Sequence, residues 1–245
     1  MLSVVIPAYN EAARIVPTLR AVAAWLESAK VFPSHEILIV DDGSTDATEA
    51  VVGALACDLP AVRLVESWPN RGKGYAVRLG MRQACGTIRM FMDADHSIPI
   101  TQFPRLLERI IEGADVAIAS RHAPGAAASG SAPWYRRAWS RTTNRVVRAS
   151  LVHGIHDTQC GMKAFTAPAA DAIFSRARCN GWAFDIEVLA LAHALGLSIA
   201  ECGVVVHDDR RSRVRPFRDA VAVTREFAQI RSAFRRREYD LSPRA

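Results

Sequence analysis

Over its first 120 residues the chain repeats one unit, a short apolar run of strand character followed by a stretch with helical spacing, and few architectures tolerate that repeat. Strands are expected at residues 3–6, 36–40, 62–65, 88–92 and 116–120, and helices at 11–29, 46–56, 74–84 and 102–112. One helix between successive strands implies right-handed crossovers. The chain is therefore predicted to be α/β, with a mainly parallel central sheet flanked by helices. A length of 245 residues, half of them hydrophobic, suits one large domain of this class.

Sheets of this kind bind ligands at the carboxyl ends of their strands, and there the polar residues gather. The run at 88–92 stops at Asp93-Ala94-Asp95. Residues two apart on extended backbone point the same way, so both carboxylates can face one divalent cation, and hard oxygen donors suit Mg²⁺ or Mn²⁺ carrying a diphosphate. Aspartate is equally favoured in solvated turns and at helix N-caps, and the pair alone leaves those readings open. The first strand runs into Pro7-Ala8-Tyr9-Asn10-Glu11, where the proline is expected to end pairing, Tyr9 could stack on a base and Asn10 could cap the next helix. In Asp41-Asp42-Gly43-Ser44-Thr45-Asp46, Gly43 permits a tight turn and Asp46 can cap. Asp41 and Asp42 are left to accept hydrogen bonds from a base edge or ribose hydroxyl. Lys73, between Gly72 and Gly74 at a helix start, suits a position near phosphate.

Several classes are disfavoured. The first strand is not followed by G-x-G-x-x-G, which argues against a dinucleotide-dependent dehydrogenase, and the G-x-x-x-x-G-K-[ST] spacing of a P-loop is missing. Five scattered cysteines without a C-x-x-C pair suggest neither a zinc site nor a disulfide framework, and fit a reducing cytosol. The chain enters a strand at once, so no signal peptide is expected. Its most apolar stretch, 183–206, is interrupted by Asp185, Glu187, His193 and Glu201, and reads as a buried helix followed by a strand. A formal charge of +6 favours anionic partners, but no helix-turn-helix, RRM or zinc-finger spacing points to nucleic acid.

The second half is less regular. Residues 123–132 read as a mobile loop and 134–148 as a basic segment. From 216 to 237, Phe217, Ala220, Val221, Phe227, Ile230 and Phe234 recur at helical spacing among six arginines. That describes an amphipathic basic helix, whether packed on the domain or laid on a membrane.

Three ordered motifs carry a resemblance. Val5-Ile6-Pro7-Ala8-Tyr9-Asn10-Glu11, Asp41-Asp42-Gly43-Ser44-Thr45-Asp46 and Asp93-Ala94-Asp95 together resemble the family 2 glycosyltransferases of the GT-A (Rossmann-like) fold. Asn70 to Arg78, Ser120-Arg121, Asp157 to Phe165 and Trp182 to Glu187 are similar to the dolichyl-phosphate β-glucosyltransferase, or polyprenyl-phosphate glycosyltransferase, branch. Met162 departs from that branch, which usually has phenylalanine there, and the residues after Val206 match loosely.

The resemblance implies a GT-A domain over 1–215, with a nucleotide-binding half at 1–120 and an acceptor half at 121–215, then a basic amphipathic helix and tail at 216–245. It implies that Pro7, Ala8, Tyr9, Glu11, Val40, Asp41, Asp42, Lys73, Asp93, Ala94 and Arg213 hold a nucleotide sugar, and that Asp93 and Asp95 hold Mg²⁺ or Mn²⁺. Asp157, Asp95 and Arg121 are the implied catalytic residues: Arg121 approaches a phosphate, and Asp157 orients the nucleophile or the sugar, although Asp157-Thr158 also fits a cap or turn. The activity implied is inverting transfer of a sugar, foremost glucose from UDP-glucose, to a polyprenyl or dolichyl phosphate. Trp134, Tyr135, Trp139 and Phe217 would meet the isoprenoid chain. The alternatives are a GDP-mannose-dependent mannosyltransferase and a family 2 enzyme with a non-lipid acceptor. A peripheral place on the cytoplasmic face of a membrane, without nucleic acid, completes the expectation.

Overall fold

The computed structural model describes residues 1–129, 150–207 and 216–242, with backbone alone at 128–129 and 216–220. Five strands and four helices of the first half come where expected. They are β1 (Leu2–Ala8), α1 (Ile15–Ala29), β2 (His35–Asp41), α2 (Thr48–Asp58), β3 (Val62–Glu66), α3 (Lys73–Gln83), β4 (Ile88–Met92), α4 (Phe103–Ile111) and β5 (Val116–Ser120). A short 3₁₀ turn, Ile100–Gln102, precedes α4. Then follow β6 (Ala127–Ser129), β7 (Met162–Thr166), α5 (Ala167–Phe174), α6 (Phe184–Ala194), β8 (Ile199–Gly203), β9 (Val205–His207) and α7 (Pro216–Arg235).

The main sheet has seven strands in the order β3-β2-β1-β4-β7-β5-β8, parallel except for β7, which runs antiparallel to both its neighbours. Its central strands are hydrophobic on both faces because both faces are covered. Leu2, Val4 and Ile6 of β1 join a core with α1, α2 and α4, while Val5 points into the other, shared with α3, α5, α6 and α7. At Gly80 of α3 an added Cβ would lie 2.4 Å from Val5 Cγ1, so this glycine is what lets the helix lie so close to the sheet.

The strand order reverses between β1 and β4. This switch point leaves a crevice at the carboxyl ends of the strands, where Tyr9 and Asp93 emerge.

Three local expectations need correction. Pro7 does not end pairing: β1 continues through Ala8, and the register runs Pro7 to Val40 and Ala8 to Asp41. Asn10 does not cap α1, which starts at Ile15 rather than 11. Instead Asn10 takes a left-handed φ of 56°, and its Oδ1 accepts from the Thr45 and Asp46 amides at 2.7 and 3.2 Å, tying the first turn to the second. The stretch 123–132 is not all loop, because β6 pairs in parallel with β9. Residues 130–132, the basic segment 134–148 and Arg213 lie outside the described residues.

Candidate active site

Asp93 leaves the end of β4, its amide donating to the Gly161 carbonyl at 3.1 Å. Thr18 of α1 donates from its hydroxyl to the Ala94 carbonyl at 2.7 Å, which fixes the turn between the two carboxylates. Asp95 Oδ1 accepts the Ser97 amide at 3.0 Å. Lys73, the first residue of α3, brings Nζ to 2.5 Å from Asp93 Oδ1. That oxygen is buried and accepts no well-aligned hydrogen bond, so the contact is an ion pair rather than a directed bond. A buried carboxylate oxygen drawing a cation onto itself, with a second carboxylate one residue away, fits a hard divalent ion.

Behind this pair lies another that the sequence reading missed. Lys163 of β7 is fully buried, donating to Asp185 Oδ1 and, at 2.8 Å, to the Cys160 carbonyl. Asp93, Lys73, Asp185 and Lys163 thus alternate in sign from the crevice into the core. Burial alone would depress the Lys73 ammonium, but Asp93 and Asp185 outweigh it and hold Lys73 above its ordinary value. Burial raises the Asp185 carboxyl, against the pull of the two lysines. Two charges within the otherwise apolar, buried run 184–192 of α6 were the available signal, since such residues are seldom buried without partners.

Gly161 is the floor of the site. A Cβ there would stand 2.2 Å from Asp93 Oδ2. Gly161→Ala is therefore expected to displace that carboxylate and weaken Mn²⁺ binding by about 10- to 100-fold, as losses around metal ligands do. Titration of the free ion by paramagnetic resonance checks this, and wild-type affinity would contradict it.

On the nucleotide side, Tyr9 is 44% exposed and Trp182 42%, both at the crevice. Pro7, Ala8 and Ala94 are buried, and the Val40 side chain packs against α3, so these four offer a ligand chiefly backbone. Glu11 forms an ion pair with Arg14 at 2.6 Å. Asp41 Oδ1 accepts the Ser44 amide and hydroxyl at 3.0 and 2.5 Å. The Asp42 carboxylate accepts the Arg71 amide at 3.0 Å and the Gly72 amide at 2.6 Å, holding the loop that delivers Lys73. Burial raises the Asp42 carboxyl, partly offset by these amides.

Across the crevice, Arg121 follows β5. Its Nε and Nη2 donate to the two oxygens of Asp157 at 2.7 and 2.8 Å, and its amide adds a third bond at 3.0 Å. Asp157 is fully buried while the Arg121 side chain is 39% exposed, so the arginine faces outward and the aspartate holds it. Burial pushes Asp157 up, but the Arg121 guanidinium more than compensates and keeps the carboxyl below its usual range. Glu201 of β8 accepts the His156 and Asp157 amides and pairs with the His156 ring at 2.8 Å. Beside this group, burial drives the Cys160 thiol up to about 12.

Comparison with known proteins gives the arrangement a context. Residues 3–174 match the model of glycosyl transferase family 2. The chain is 36% identical over 209 residues to "Dolichyl-phosphate beta-glucosyltransferase ALG5C" of Trichomonas vaginalis, covering 82% of this chain and 62% of that protein. It is 33% identical over 240 residues to the "Dolichyl-phosphate beta-glucosyltransferase" of Dictyostelium discoideum, covering 94% and 73%. Among solved structures, glucosyl-3-phosphoglycerate synthase of Mycobacterium tuberculosis, in complex with Mn²⁺ and UDP-glucose, superposes with a TM-score of 0.71 at 21% identity, covering 95% of this chain and 79% of the other.

Proposed function

The chain belongs to glycosyl transferase family 2 and has its GT-A fold, and on that footing we propose that it transfers glucose from UDP-glucose to a polyprenyl or dolichyl phosphate, with inversion. The observation that carries the reading is the alternation of Asp93 and Asp95 with Lys73 on one side of the crevice, facing Arg121 on the other. The names of the relatives support glucose and the lipid phosphate, and the UDP-glucose complex of the structural neighbour agrees with the donor.

Asp93 and Asp95 would hold Mg²⁺ or Mn²⁺. When bound, the ion neutralises charge that develops on the departing diphosphate. Lys73 is suited to turn from Asp93 to a diphosphate oxygen, and the exposed Tyr9 ring to a base. Arg121, oriented by Asp157, is suited to an acceptor phosphate. That nucleophile needs no strong base, because a phosphate monoester with a second pKa of about 6 is already anionic near neutrality. Attack from the face opposite the leaving group inverts the anomeric carbon. Arg213, in the Ser212-Arg213 pair, is proposed to close over the diphosphate. The corresponding division is a GT-A domain over 1–215 followed by the helix and tail.

The donor is tested by calorimetry in Mn²⁺: UDP is expected to bind more tightly than GDP. A clear preference for GDP would replace this reading with a GDP-mannose-dependent mannosyltransferase.

We place the protein peripherally at the cytoplasmic face of a membrane. No helix among the described residues is long and apolar enough to cross one. Ile230 of α7 is buried in the core, and Phe227 and Phe234 pack against it, so membrane contact would fall to the exposed Arg225, Arg235, Arg236 and Arg237. Each basic residue near an anionic surface contributes about 1 kcal/mol at most, so liposome binding should require anionic lipid and fade as salt rises. Flotation indifferent to both would remove the membrane contact.

A further inference from the structure

The segment from Arg178 to Ala183 runs between the start of α3 and the face of α7, and both neighbours fit it closely. On the α3 side, Tyr75 donates its amide to the Asn180 carbonyl at 3.2 Å, and Arg78 Nη2 donates to Asn180 Oδ1 at 2.7 Å. Gly72 and Gly74 lie so near that a Cβ on either would meet the Asn180 or Cys179 carbonyl oxygen at 2.4 or 2.5 Å. Between those glycines stands Lys73, whose Nζ lies 5.6 Å from the centre of the Trp182 ring. The segment is pinned at both ends. At its start the Glu187 carboxylate accepts the Arg178 and Cys179 amides, at 2.9 and 2.8 Å. At its end Glu226 of α7 accepts the Ala183 amide at 2.8 Å.

Glu226 fits its neighbour as well as bonding to it. A Cβ on Gly181 would fall 1.9 Å from Glu226 Oε1, so the carboxylate fills the place a side chain would take. Between α7 and the segment is a cavity of about 410 Å³, to which Asn180, Gly181, Glu226 and Ile230 contribute. Without the carboxylate, the segment has room to fall back from α3.

We propose that Glu226 is a positioning residue for donor binding: from the C-terminal helix it props the Arg178–Ala183 segment against α3 and so fixes Lys73 and the Trp182 ring at the sugar-diphosphate end of the crevice. The inference rests on the reading of that end as the donor site. It makes α7, which lies beyond the residues matched by the family model, a structural part of the site.

The test is a steady-state and calorimetric comparison of wild type, Glu226→Ala, Glu226→Gln, Gly181→Ala and the Glu226→Ala/Gly181→Ala double variant, with Mn²⁺, UDP-glucose and a short-chain polyprenyl phosphate. Glu226→Ala is expected to raise KM for UDP-glucose about tenfold while KM for the acceptor stays within about twofold, with kcat falling only as far as the displaced Lys73 loses its contact with the departing diphosphate. Glu226→Gln, which keeps an oxygen for the Ala183 amide, recovers most of the loss. Gly181→Ala shows the same defect, and the double variant is no worse than either single change, because the new methyl enters the space the carboxylate vacates. Equal loss on both substrates, wild-type kinetics in Glu226→Ala, or defects that multiply in the double variant would overturn the proposal. If Glu226→Ala does not fold, Gly181→Ala alone against wild type decides. Failure of the wild-type protein to bind UDP with Mn²⁺ removes the donor reading and this inference together. UDP binding with an unaltered Glu226→Ala variant removes the inference alone.

Discussion

Asp93→Asn and Asp95→Asn are each expected to reduce glycosyl transfer by about a thousandfold, roughly 4 kcal/mol of transition-state stabilisation, with the protein still folded. Neither carboxylate is a fold determinant: both are partly exposed at the mouth of the crevice, and the turn between them is held instead by the buried Thr18 bond to the Ala94 carbonyl. The size of the loss comes from the leaving group. A diphosphate that departs without a metal ion at its oxygens develops charge that Lys73 and the proposed Arg213 contact would have to offset by themselves. Transfer rates, with circular dichroism melts to confirm folding, check the prediction. Full activity in EDTA, or wild-type rates in both variants, would refute the assignment.

Arg121→Met is expected to cost about a hundredfold or more in transfer, the loss typical when one preorganised donor to a developing or reacting anion is removed. It also leaves the Asp157 carboxylate buried without its partner, at about 3 kcal/mol, the lower end of the range for broken buried pairs because the guanidinium is itself partly exposed. Acid titration separates the two effects. Asp157 has a folded value below its ordinary one, so the stability from the pair is fully present above the ordinary carboxylate pKa of about 4 and is lost as pH falls through the depressed value. In wild type the melting temperature should fall more steeply over that acid window than in Asp157→Asn. Matching acid profiles, or wild-type transfer in Arg121→Met, would contradict this role.

The first half of the fold was legible because each strand is a short, mainly apolar run and helical stretches separate the strands. β7 was not, because nothing local in Met162–Thr166 says that it inserts antiparallel between β4 and β5, a pairing set by contacts far apart in sequence. Pro7 was misjudged because a missing amide costs nothing where no ladder partner needs it, and Asn10 because its side chain found amides 35 residues away before those of the next helix. Within the candidate site, Asp93, Asp95 and Lys73 were legible as residues, and the ion pair between Lys73 and Asp93 was not. Asp157 was read for its chemistry, whereas its burial makes it the holder of Arg121. Lys163, Asp185 and Glu226 act through tertiary contacts alone, and only the rarity of charge in an apolar helix could have marked Asp185.

One product analysis decides whether the proposed transfer takes place. The protein is incubated with Mn²⁺, UDP-glucose and a short-chain polyprenyl phosphate, and the lipid fraction is examined by mass spectrometry, with the anomeric configuration read from the sugar's proton coupling. The expected product is a polyprenyl phosphate carrying one hexose in β linkage, formed in step with UDP and suppressed by EDTA. A lipid phosphate that stays unmodified while a soluble sugar or protein acceptor is glycosylated would contradict it.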